Sequence, residues 1–273
     1  TPSVATDRLF TLAGDATLDS SGAFGSNVLG VPTPNHATLV FANSGSVAFA
    51  GTGNRTLTLA GNSTGDNEIR MALGNPSGGV LSVNKTGGGQ WLLTGTNTYS
   101  GSTTISAGVL QTGSNGAGLG VAGNLVLNGS SAVLQTSGTF TRTLGTGANQ
   151  VSFGAGGGGF SSSGTNLRVN LGGSLVFGGT AVAGSLLVFN SSTALGDVDF
   201  QSGMDLGNAA REIRVDNNLF TALDFATVSG SISGGSAGML LKTGDGYLVL
   251  GAANTYAGST WVRSGALVVR SIG

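Results

Sequence analysis

Short apolar runs recur along the whole chain, each cut off by Gly, Asn or Ser. Examples are Thr38-Leu39-Val40-Phe41, Thr56-Leu57-Thr58-Leu59, Asn124-Leu125-Val126-Leu127, Leu167-Arg168-Val169-Asn170-Leu171, Ser185-Leu186-Leu187-Val188-Phe189 and Tyr247-Leu248-Val249-Leu250. Each is strand-length, and several alternate apolar with polar residues at period two, the mark of a strand with one face in a core. No segment carries an apolar stripe at 3.6-residue spacing with a cap and a stop, so the pattern predicts strands and little or no α-helix.

The strands belong to a repeat. Lys85 to Leu110 returns without a gap as Lys242 to Leu267, at an offset of 157 residues and with 13 of 26 positions identical, among them Asn97-Thr98-Tyr99 against Asn254-Thr255-Tyr256. A weaker echo lies upstream, where Arg55-Thr56-Leu57-Thr58-Leu59 and Arg211-Glu212-Ile213-Arg214-Val215 precede their lysines by 30 and 31 residues. One supersecondary unit that cannot bury its apolar face alone, repeated along a chain, implies a stack of coils.

Composition narrows the stack. Of 273 residues 51 are Gly, and only 8% are charged against 39% hydrophobic. Glycine inside a strand or helix costs roughly 0.5–1 kcal/mol relative to Ala, so most of these belong at corners, where Gly and Asn accept positive φ. Collagen is excluded, because there is no Gly-X-Y period and only 4 Pro. The formal net charge of -1 leaves no electrostatic footprint for nucleic acid or an anionic membrane. Without Cys there is no disulfide or thiolate metal site, and long hydrogen-bonded ladders are left to supply rigidity. No apolar run is long enough to cross a bilayer as a helix. The opening Thr1-Pro2-Ser3 reads as a mature segment or fragment, with any export signal or anchor expected elsewhere.

The run Gly87 to Leu110, with Gly-x-Gly, Leu-Thr-Gly-x-Asn-Thr-Tyr-Ser-Gly-x-Thr-Thr-Ile and Ala-Gly-x-Leu, resembles the autotransporter-associated β-strand repeat. The later copy departs from that family at Trp261, where Thr is usual, and at Gly251-Ala252, where Ser/Thr-Gly is usual. The resemblance implies a passenger-type, single-stranded right-handed parallel β-helix (β-solenoid), exported across the outer membrane to the cell surface. It implies no catalytic residue, since the motif is structural.

The candidate chemistry is thin. Gly-x-Gly-x-x-Gly occurs at Gly118–Gly123 and Gly154–Gly159, but in a chain this rich in glycine roughly 1.8 matches are expected by chance, and neither is predicted to open a helix. Gly-x-Ser-x-Gly occurs around Ser63 and Ser236, yet His36, the only histidine, precedes both, so the hydrolase order of serine, acid and histidine cannot be built. Carboxylates are absent from Ile69 to Gly196; the one compact acidic cluster is Asp197, Asp199 and Asp205, followed by Arg211 and Arg214. At i and i+2 the first two acids would share one strand face, the place to look for paired-carboxylate chemistry or ion binding.

The expectation is therefore one continuous β-solenoid over residues 1–273, with no catalytic, cofactor-binding or metal-ligating residue. Its expected role is a display rod or fibre module of a large secreted bacterial surface protein that contributes to adhesion. Its expected partners are its own neighbours, by axial stacking and edge pairing, and surface glycans, with no nucleic acid and no membrane insertion. The alternatives are a carbohydrate-binding adhesin and a polysaccharide hydrolase or lyase on the same fold. With coils of about 20–25 residues the 157-residue offset spans about seven turns, which would stack Tyr256 over Tyr99 at roughly 34 Å.

Overall fold

The computed structural model describes residues 4–21, 37–221 and 224–270. Within them the chain winds as a parallel β-helix; every strand pair is parallel, and the one short helical turn is Ser114–Gly116.

The first face is a ladder that begins Val4–Thr6, Leu39–Phe41, Asn67–Ile69, Gln90–Leu93 and Val109–Thr112. It continues through the first halves of Val133–Thr141 and Gly158–Asn170 to Leu186–Phe189, Arg211–Val215, Leu240–Thr243 and Thr260–Val262. The second face starts where Val133–Thr141 and Gly158–Asn170 bend, with a register shift between Thr136 and Gly138, and runs on through Val198–Phe200, Ala226–Val228, Tyr247–Leu250 and Ala266–Val269. The third face carries Ala16–Asp19, Arg55–Ala60, Leu81–Lys85, Thr103–Ile105, Leu125–Leu127 and Val151–Phe153. In later coils a smaller sheet of Leu175–Val176, Met204–Asp205 and Ile232–Ser233 follows the second face in the same way.

The period-two alternation becomes the core. On the first face Trp91, Leu110, Leu134, Phe160, Phe189 and Val215 lie in successive register and point inward, all of them fully buried. Full burial of such a side chain stabilises by about 1.5–3 kcal/mol, and every coil adds several. Leu93, two residues after Trp91 on the same strand, is fully buried as well.

The coil count differs from the sequence expectation. From Gln90 the ladder passes through Val109, Val133, Gly159, Val188 and Arg214 to Thr243, six pairings rather than seven. The second copy also starts one face later. Lys85 ends a third-face strand and Lys242 lies in a first-face strand, while Gln90–Leu93 lies on the first face and its counterpart Tyr247–Leu250 on the second. Tyr256 is therefore rotated by one face from Tyr99 rather than stacked above it, at an axial distance of about 30 Å. The cause is coil length. The step from Leu93 to Thr112 takes 19 residues, but the step from Gly159 to Val188 takes 29. The same rotation carries the upstream echo, with Arg55–Ala60 on the third face and Arg211–Val215 on the first.

Candidate functional site

Both repeats build the same corner. In Leu81–Lys85 the alternation that buries Leu81 and Val83 also drives Lys85 inward. Its Nζ donates to the carbonyls of Thr86 at 2.8 Å, Gly87 at 2.7 Å and Ala107 at 3.0 Å, so all three ammonium hydrogens are engaged. Lys242 repeats this with Thr243 at 2.7 Å, Gly244 at 2.7 Å and Ser264 at 3.1 Å. These carbonyls belong to the tight turns at the corner of one coil and of the next, where the backbone has no ladder partner, and the ammonium ties the two coils together. Burial pulls Lys85 from its ordinary 10.5 down to about 7. It pulls Lys242 down to about 8, with the carboxylates of Asp245 and Asp216 opposing.

The glycine over each lysine has no alternative. Gly108 and Gly265 both sit at φ +68, and a Cβ on Gly108 would lie 2.3 Å from the Gly89 oxygen and 2.7 Å from Lys85 Nζ. The left-handed conformation and the close approach both exclude a side chain.

The remaining shared polar residues also serve the coil. Asn97 Oδ1 accepts from Leu73 N at 2.9 Å while its Nδ2 donates to Gly118 O at 2.8 Å, bridging the coils on either side. Asn254 Oδ1 accepts from Ile232 N at 2.8 Å. Tyr99 is fully buried, with its hydroxyl 2.7 Å from Thr103 Oγ1, and Tyr256 repeats the contact with Thr260 at 2.5 Å. Lysine, asparagine and tyrosine, the residues that would carry chemistry in another setting, are engaged here by the coil's own backbone and hydroxyls.

The acidic cluster does not converge. Asp197 and Asp199 lie at the second face, partly exposed, whereas Asp205 belongs to the smaller sheet and caps its own turn through Gly207 N at 2.8 Å. Burial pushes the Asp197 carboxyl up, and the neighbouring Asp199 adds to this. Asp199 accepts from Ser229 Oγ at 2.5 Å and from Gln201 Nε2 at 3.1 Å. Arg211 lies 5.4 Å over the Phe177 ring. Arg214 instead pairs with Asp216, at 2.9 Å from both Nε and Nη2. That pair sits in an open groove of about 380 Å³ against the outward valines Val109 and Val133. Burial pushes the Asp216 carboxyl up while Arg214 draws it down. Among the described residues no three His, Cys, Asp or Glu are placed to hold a metal ion.

Ser63 is buried, with its hydroxyl donating to Ala37 O at 2.6 Å, and Ser236 lies in an exposed turn. Neither glycine-rich match opens a helix: Ser114–Gly116 precedes the first, and the second links two strands. His36 lies outside the described residues. Sequence reasoning aligned the two lysines but missed their role. The available signal was a charged residue at an inward position of an otherwise apolar strand, followed directly by the glycine-rich corner in both copies.

Residues 77–111 and 240–269 match the family model of the passenger-associated-transport-repeat. Over 136 residues, 49% of this chain and 4% of the other, the chain is 34% identical to the adhesin BmaC autotransporter of Brucella suis biovar 1 (strain 1330). The chain thus spans about 4% of the length of that curated relative. No solved structure matches the chain.

Proposed function

We propose that a chain built around two passenger-associated transport repeats serves as a non-catalytic rod segment of a large exported bacterial surface protein, spacing and displaying surfaces that take part in adhesion. The observation that carries this reading is the use of the repeat's own polar residues. Lys85 and Asn97, with Lys242 and Asn254, tie coil to coil, and Tyr99 and Tyr256 brace their own coils through Thr103 and Thr260. A side chain held in this way transmits load and fixes geometry; it does not turn over substrate. The name of the curated relative, an adhesin of the autotransporter type, supports the surface placement. All ladders run the same way around the rod, so interior strand edges are satisfied by the coils before and after.

Incubation of the purified chain with plant and bacterial polysaccharides, followed by a reducing-end assay, tests the non-catalytic half of this reading. The expected result is no release above buffer. Release that is lost in Asp197→Asn or Asp199→Asn would replace the rod with an enzyme. Surface labelling of cells that express the full reading frame tests the placement, and a signal confined to the cytoplasm would contradict it.

A further inference from the structure

The two repeats agree inside and disagree outside. At inward and corner positions they keep Lys, Gly, Leu, Asn and Tyr, whereas outward residues of the first copy are polar and those of the second are apolar: Asn84 becomes Leu241, Gln90 becomes Tyr247, Thr104 becomes Trp261 and Gln111 becomes Val268. The change is also visible along one outward row of the second face, which reads Thr139, Arg168, Asp199 and Thr227 and then turns to Val249 and Val268. Leu241 and Trp261 lie on the first face, whereas Tyr247, Val249 and Val268 share the second and line one groove, and apolar surface that gathers in one place marks a binding surface. Tyr247 is 61% exposed and Trp261 52%.

Over this platform stands a wall. Residues 216–221 leave the rod after Arg211–Val215, held at Asn218, whose Nδ2 donates to Ala194 O at 2.8 Å and whose N donates to the Asp224 carboxylate. Between wall and platform lies a groove of about 420 Å³, its floor formed by Tyr247, Val249 and Val268 and its rim by Asn217, Asp224 and Arg270. The volume lies in the range of small-ligand sites.

We infer that this groove binds an uncharged oligosaccharide of two or three rings; the inference rests on the adhesion reading above and gives it a ligand class. A sugar ring has a C–H face that packs on an apolar, partly aromatic floor and a rim of hydroxyls that pair with amide, carboxylate and guanidinium groups. Asp224, buried with its carboxylate bonded to Asn218 N, balances the charge of the exposed Arg270, so the groove matches a neutral polyhydroxylated ligand better than an acidic glycan or a lipid headgroup, with Asn217 and Arg270 left to meet its hydroxyls. Tyr247 supplies the stacking face.

The experiment is an array of uncharged oligosaccharides probed with the purified chain, followed by calorimetric titration of the best ligand against wild type, Tyr247→Ala, Tyr247→Trp and Thr104→Ala. Binding should weaken by about tenfold or more in Tyr247→Ala, persist in Tyr247→Trp and be unchanged in Thr104→Ala, with melting curves superimposable. Should Tyr247→Ala melt lower, Arg270→Ala at the other end of the groove carries the same test. A silent array, or binding indifferent to both substitutions, overturns the inference. So does concentration-dependent dimerisation in sedimentation that Tyr247→Ala abolishes, since the platform would then belong to a second copy. None of these failures touches the rod itself, which is tested by distances along it.

Discussion

Replacing Lys85 with Met keeps the length and most of the volume of the side chain and removes its three donors. The carbonyls of Thr86, Gly87 and Ala107, now bonded at 2.7 to 3.0 Å, would be left facing a thioether. A buried polar group without a partner costs about 1–3 kcal/mol, so three would cost several kcal/mol. Against this, Met escapes the desolvation that pulls the Lys85 amine down to about 7. A net loss of about 2–4 kcal/mol follows, which at this chain length corresponds to a fall of roughly 5–15 °C in the melting temperature. Circular dichroism melts and urea titrations at pH 6, where the Lys85 amine is protonated, would read it. Amide hydrogen exchange should place the loss at the corners around Gly87 and Gly108, because a coil stack opens locally. A Lys85→Met protein that melts at or above the wild-type temperature, with protection unchanged at those corners, would refute the reasoning and show that the ammonium is tolerated rather than required.

The same lysines set the pH dependence. With folded values near 7 for Lys85 and 8 for Lys242 against an ordinary 10.5, the unfolded chain binds more protons between about pH 7 and 10.5, so stability should rise with pH across that window. Melting temperatures at pH 7 and 9.5 check the sign, and a fall would mean that the carbonyl bonds to the charged form outweigh burial. Leu93→Asp places a carboxylate in a fully buried apolar stack and should cost more than about 4 kcal/mol or prevent folding; an unchanged melt would put Leu93 outside the core. EDTA should leave the melting curve unchanged, because acids do not converge among the described residues, and a large drop would reveal an ion in the fold.

How far this architecture can be read from the sequence follows from what each signal measures. Alternation in Leu81-Ser82-Val83-Asn84-Lys85 and the glycine-rich corners report backbone period and turn conformation, and both are local, so strands, parallel stacking and the scarcity of helix were legible. The coil number was not. It depends on how many residues each coil carries outside the ladder, and segments such as 190–197 and 216–221 lengthen coils without adding one. The acidic cluster looked compact in sequence because Asp199 and Asp205 are six residues apart; a corner between them sends Asp205 to another sheet. The role of Lys85 is not legible in the sequence, because charge at an inward position conflicts with binary patterning and only the turn carbonyls explain it. The platform at Tyr247 became visible once inward and outward positions could be separated in both repeats.

We propose that the described coils form a single rigid stack in which the second repeat returns after six coils and one face. The absence of Cys makes a direct measurement simple, since Leu92→Cys and Thr243→Cys in one chain give a clean spin-labelled pair on the outer side of the first face. Thr243 lies in register with Gln90 through six pairings, so dipolar electron spin resonance should give a narrow distance distribution centred at about 30 Å, six strand spacings with a short lateral offset. A broad distribution, or a narrow one displaced by more than about 8 Å, would mean that the ladder between the repeats bends or breaks, and would contradict the continuous rod.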